Sequence, residues 1–158
     1  TEYKKNFKDY NKQITIMKNF KNILVLTLIL DLLQSFPLLL AMSGGEMKEM
    51  MIADMGVEGL AKNAGAIAIL DTMLFVFAFI MLGYLAATIY ALTLKELSSL
   101  KAATFLLGIL HLAWTLPDFI SLLMGSSAHA PIPLMIVSLL PIIGLFYVAR
   151  NGKLKTSI

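Results

Sequence analysis

Long apolar runs alternate with short polar connections along this chain. The runs cover residues 22–43, 64–94, 102–124 and 132–149. Each reaches or approaches the roughly 20 residues that carry a helix across a 30 Å hydrocarbon core. A helix of a soluble core keeps a polar face, and these runs mostly lack one. The pattern predicts an all-α membrane protein built as a four-helix transmembrane bundle. Residues 1–21 read differently. Tyr3, Phe7, Tyr10, Ile14 and Met17 recur at i, i+4, i+7, i+11 and i+14, with lysines between them. This spacing predicts an amphipathic N-terminal helix lying at the lipid headgroups, or packed on a partner subunit.

The expected organisation is therefore a cytoplasmic amphipathic segment at 1–21, a transmembrane domain at 22–149 and a basic cytoplasmic tail at 150–158. Ala41-Met42-Ser43 loosely resembles a signal-peptide cleavage site after the first run. Asp31 within that run argues for a retained span instead. The connection at residues 46–60 carries Met47, Met51 and Met55 four apart, with Met50 adjacent and Glu46, Glu49, Asp54 and Glu58 filling much of the rest. The expectation is a short amphipathic helix capping the bundle. The competing reading is a soft-metal site, since thioethers suit Cu(I).

Composition agrees with the pattern. Hydrophobic residues are 58% of the chain and charged residues 15%, against about 45–50% and 25% in soluble domains. With no cysteine, disulfides, thiol nucleophiles and thiolate metal sites are excluded. Charge placement says more than its sum. Lys4, Lys5, Lys8, Lys12, Lys18, Lys21, Lys95, Lys101, Arg150, Lys153 and Lys155 fall on one side of the alternating runs, and only Lys48 and Lys62 on the other. The positive-inside rule then places both termini in the cytoplasm.

Polar residues inside the runs are the candidate chemistry. An ionisable group at the bilayer centre is costly and is kept where it faces protein or water. In the third run, Thr104, Gly108, His111, Thr115 and Asp118 share one helical stripe, and Pro117 removes a helix hydrogen bond beside it. The first run places Thr27, Asp31, Gln34 and Ser35 on a similar face, with Pro37 one turn on. The second carries Asp71, with Ala64, Ala68 and Ala78 on its side to admit a close neighbour. The fourth has Ser138, Pro141 and Gly144 and no charge. Depth from the 1.5 Å rise puts Asp31 and His111 roughly 13 Å from the cytoplasmic edge, near mid-membrane. Asp71 and Asp118 lie nearer the outside. Asp31, Asp71, Asp118 and His111 are a conceivable hard-metal set, but no two of them have the i, i+3 or i+4 spacing of helical metal motifs. The chain has no nucleophile elbow, zinc-protease motif, phosphate loop or dinucleotide fingerprint, and its basic tail is explained by topology rather than nucleic acid.

At these residues the chain resembles two groups of small four-span proteins. The matching pieces are Asp31, Asp71, His111 with Leu116-Pro117, and the run from Leu139-Leu140-Pro141 to Arg150. They are similar to the EXPERA-domain group, which includes sterol isomerases and the sigma-2 receptor. That resemblance implies four core helices, cytoplasmic termini and membrane-embedded acids that bind amine or sterol-like ligands. The span count also resembles the DoxX-like group of small bacterial proteins.

The leading functional expectation is a protein binding a small lipid-like or cationic ligand in a polar cavity between the first three spans. Asp31 and Asp71 would accept from the ligand, Gln34, His111, Thr115 and Asp118 would complete its hydrogen bonding, and Trp114 would supply an apolar wall. No cofactor is implied. The expected partners are membrane lipids, with a homo-oligomer or a partner membrane subunit as further possibilities. A proton- or cation-coupled transporter or channel, or an accessory subunit of a larger membrane complex, would use the same residues differently. An intramembrane enzyme would pair an aspartate with His111 as acid and base.

Overall fold

The structure, a computed structural model, describes residues 2–55, 57–126 and 129–152, with side chains described from Phe20 onward. Five α-helices follow one another: α1 Glu2–Met42, α2 Glu46–Asp54, α3 Ala64–Thr93, α4 Leu97–Leu123 and α5 Ile132–Asn151, with a 3-10 turn at Leu60–Lys62 before α3. No strand occurs among the described residues. Residues 20–42 of α1, and all of α3, α4 and α5, are long and apolar enough to cross a membrane. The fold is an all-α bundle.

The N-terminal segment and the first span form one continuous helix of 41 residues. The proposed interfacial face of Tyr3, Phe7, Tyr10, Ile14 and Met17 lies outside the described side chains. Helix ends follow local chemistry. Gly44 and Gly45 take φ of 89° and 75°, a region open to glycine at little cost, and they end α1 and turn the chain into α2. Asn63 starts α3 by accepting a hydrogen bond from the Ala66 N–H at 3.1 Å, an N-cap contact. At the end of α4 the Gly125 N–H reaches the Leu122 carbonyl and the Ser126 N–H reaches that of Ser121. Gly125 has φ 70°, so α4 closes in a Schellman turn. This helix begins at Leu97, five residues before the apolar run, and Lys101 lies inside it.

The chain divides into two compact units, Thr1–Leu28 with Ala87–Ile158, and Ile29–Ala86. In the first, Phe20, Leu24, Ala91, Leu100, Leu107, Leu145 and Val148 form a buried cluster. Small residues set its spacing. A Cβ on Gly108 would lie 3.2 Å from the Phe146 ring, and one on Gly144 3.1 Å from Ile23. Apolar helices in lipid gain little from the hydrophobic effect, so such close packing carries their association. In the second unit Ala41, Leu70 and Leu74 are buried together, with Leu38, Met47, Met51 and Ile52 packed on them. Thus α2 does lie against the apolar ends of α1 and α3. Across the chain, Leu33, Phe36, Phe75, Phe79, Leu106, Ile143 and many other large apolar side chains are exposed. A surface this apolar suits lipid rather than water.

Candidate functional site

The buried faces of the helices decide which polar residues matter. On α1, Phe20, Leu24, Thr27, Asp31, Ser35 and Ala41 are buried. Leu32, Leu33 and Phe36, on other faces, are exposed. Asp31 is 2% exposed. It stands eleven residues from each end of the apolar part of α1, Phe20–Met42, or about 16 Å at 1.5 Å per residue. Tyr84 of α3 lies within electrostatic reach of the Asp31 carboxyl. A phenol can both donate to and accept from a ligand or a carboxylate. Ser35, one turn on, turns its hydroxyl to the Leu32 carbonyl at 3.1 Å. Gln34 is partly buried. Asp31 and Tyr84 are the polar centre of the second unit. Tyr84 was not among the sequence candidates.

Asp71 belongs elsewhere in that unit. The buried stripe of α3 runs through Leu70, Leu74, Ala78, Met81, Leu85, Thr88 and Ala91. Asp71 sits one residue off it, with its side chain 50% exposed and 2.5 Å from the ammonium of Lys48 on α2. Of its expected small neighbours, Ala78 is buried, whereas Ala64 and Ala68 are exposed. Ala41 clusters with Leu70 and Leu74, so Asp71 is level with the end of α1. Asp31 is ten residues earlier, about 15 Å along the helix. The structure thus does not bring the two carboxyls together.

In the first unit, α4 buries Leu100, Thr104, Leu107, Gly108, His111 and Thr115. The polar stripe read from the sequence is thus a buried face, with Leu107 included in it. Thr104 donates to the Leu100 carbonyl at 2.7 Å. His111, 7% exposed, has Nδ1 2.8 Å from the Leu107 carbonyl. A carbonyl only accepts, so Nδ1 carries a proton. Trp114 is partly buried beside this face and Thr115 fully so. Asp118, partly buried, accepts the Ala130 N–H at 3.1 Å and so anchors the connection to α5. The hydroxyls of Thr27 and Thr88 are buried with no hydrogen-bond partner among the described residues.

The methionines of the outer connection separate. Met47 and Met51 pack on the apolar cluster, while Met50 and Met55 are exposed. The four thioethers therefore do not share one face as a soft-metal site requires. Among the described residues no group of three His, Asp or Glu side chains is placed to hold a metal ion. No protein-family model, curated protein or solved structure matches this chain.

Proposed function

We propose that this is an integral membrane protein, with both termini cytoplasmic, that binds a small lipid-like or cationic ligand at a polar site centred on Asp31. The observation that carries the reading is the burial of that carboxyl at the midpoint of an apolar span, with Tyr84 within its electrostatic reach. An acid held at such depth is expensive. A protein retains it where a charge or a hydrogen-bonding group has work to do. Asp31 would hold the ligand's cationic or hydroxyl group, Tyr84 would add a second polar contact, and Gln34 would flank them. His111, Trp114 and Thr115 form a second polar face, in the other compact unit. Asp71 and Asp118 have structural partners and are left out of the core set. A second reading, proton- or cation-coupled transport, draws support from one observation: His111 is a second titratable group buried within a span. The test is native mass spectrometry of the detergent-purified protein with identification of what co-purifies. A stoichiometric lipid, sterol or amine released by Asp31→Asn supports the binding reading. A stable, ligand-free oligomer that moves protons in vesicles moves the assignment to transport.

A further inference from the structure

In the second unit, α2, the 3-10 turn and the start of α3 border an open-sided cavity of about 630 Å³, with Glu49, Ala53 and Ala61 exposed at its mouth. This lies within the usual 300–1,000 Å³ of small-molecule sites. Ile52, Ala53, Ala61 and Ile67 give it apolar walls, and Lys48 and Glu49 are its charged lining. Lys48 is neutralised by Asp71. Glu49 forms no ion pair among the described residues. The surroundings are also acidic: Glu46, Glu49, Asp54 and Glu58 face only Lys48 and Lys62 across residues 43–63. A segment of net negative charge attracts cations. A bare metal ion would want several convergent oxygens, and no such group of side chains is present among the described residues. Apolar walls with one uncompensated carboxylate suit an organic cation instead.

We infer that this cavity is a second binding site, for an organic ammonium carrying an apolar group, with Glu49 holding the ammonium. It stands apart from the proposed Asp31 site: Asp31 lies about 16 Å along the helix from the end of α1 at Met42, and the lining begins beyond that end at Gly44. The experiment is calorimetric titration of the full chain in phosphatidylcholine nanodiscs with benzyltrimethylammonium, using benzyl alcohol as the neutral probe. Glu49→Gln weakens the cation roughly tenfold, the loss of one charge-assisted contact, and leaves benzyl alcohol unchanged. Ala61→Phe, which fills the cavity, weakens both probes. Asp31→Asn removes at most a separate binding component and leaves the Glu49-dependent component of the titration in place, so failure here is separable from failure of the Asp31 reading. The inference is overturned if wild type binds no cation, if Glu49→Gln binds it as wild type does, or if Ala61→Phe has no effect. It is equally overturned if calcium displaces the probe one for one and Glu49→Gln abolishes calcium binding, which would make this an inorganic cation site.

Discussion

Lys48 on α2 and Asp71 on α3 form an ion pair at 2.5 Å, with side chains 20% and 50% exposed. The pair fastens α2 beside the apolar patch of Ala41, Leu70 and Leu74. It gives Asp71 a partner on α2 instead of a place among the buried side chains. Its solvent exposure limits its strength, and pairs of this kind contribute about 0.2–1 kcal/mol. A double-mutant cycle with Lys48→Met and Asp71→Asn should return a coupling in that range at low salt, shrinking at high salt. Coupling indistinguishable from zero in both conditions would show that Met47, Met51 and Ile52 alone hold α2 in place.

Asp31 separates ligand chemistry from structural anchoring. A leucine at this position removes a polar group from mid-span, where the insertion scale charges an aspartate about 2.5–3.5 kcal/mol. Asp31→Leu should therefore fold and melt at or above the wild-type temperature, while losing whatever co-purifies with the wild type. That combination is the usual trade between stability and function. A loss of more than about 2 kcal/mol of stability would instead mark Asp31 as a structural hydrogen-bonding anchor, since breaking a satisfied buried network has that cost.

Two glycines test the packing. Gly108 faces the Phe146 ring at a distance that an added methyl would compress to 3.2 Å, and that ring also meets Phe105 edge-on at 5.7 Å between centroids. Gly83 on α3 has open space around it. Gly108→Ala should destabilise by about 1–3 kcal/mol through overpacking. Gly83→Ala should be neutral or stabilising by up to about 1 kcal/mol, because alanine favours the helix. Equal effects at both sites, read from unfolding in mixed micelles, would refute the close approach of α4 and α5.

Asp118 makes a prediction of a different kind. Its contact to the Ala130 N–H ties the end of α4 to the start of the α5 approach. Asp118→Ala should cost roughly 1 kcal/mol, a typical loss for one such hydrogen bond, and should speed hydrogen exchange at the Ala130 amide. Asp118→Asn keeps the accepting oxygen and should restore most of the protection. Unchanged exchange in the alanine variant would return Asp118 to the list of groups available to a ligand.

The spans were legible because each is a long run of apolar residues, and a membrane leaves few other solutions. The face of α4 was legible for the same reason in reverse. Thr104, Gly108, His111 and Thr115 stand out from leucines at helical spacing, and they are buried. On α3 that contrast fails. Leu70 and Asp71 are adjacent in an otherwise apolar helix, so periodicity does not say which side meets protein. The partner of Asp71 also stands 23 positions earlier, on a separate helix. Tyr84 escaped notice because a tyrosine in a span reads as an interfacial aromatic. Its signal was available: Met81, three before it, and Thr88, four after it, both lie on the buried stripe. The start of α4 was placed late because Lys101 interrupts the apolar run. Its ammonium reaches the Arg150 carbonyl at 3.5 Å, a favourable place for a cation at the end of a helix.

Topology can be tested directly, because the chain has no cysteine and any introduced thiol is unique. Eleven of the thirteen basic residues fall on the side of the termini and the α3–α4 connection, the side that the proposed orientation places in the cytoplasm. Asp54 at the end of α2 and Glu96 at the start of α4 are both exposed. In intact cells a membrane-impermeant maleimide should label Asp54→Cys, and should label Glu96→Cys only after the membrane is permeabilised. Labelling of Glu96→Cys alone would invert the bundle. Asp54 would then face the cytoplasm, and the cavity beside Glu49 would open to the cell interior rather than to external amines.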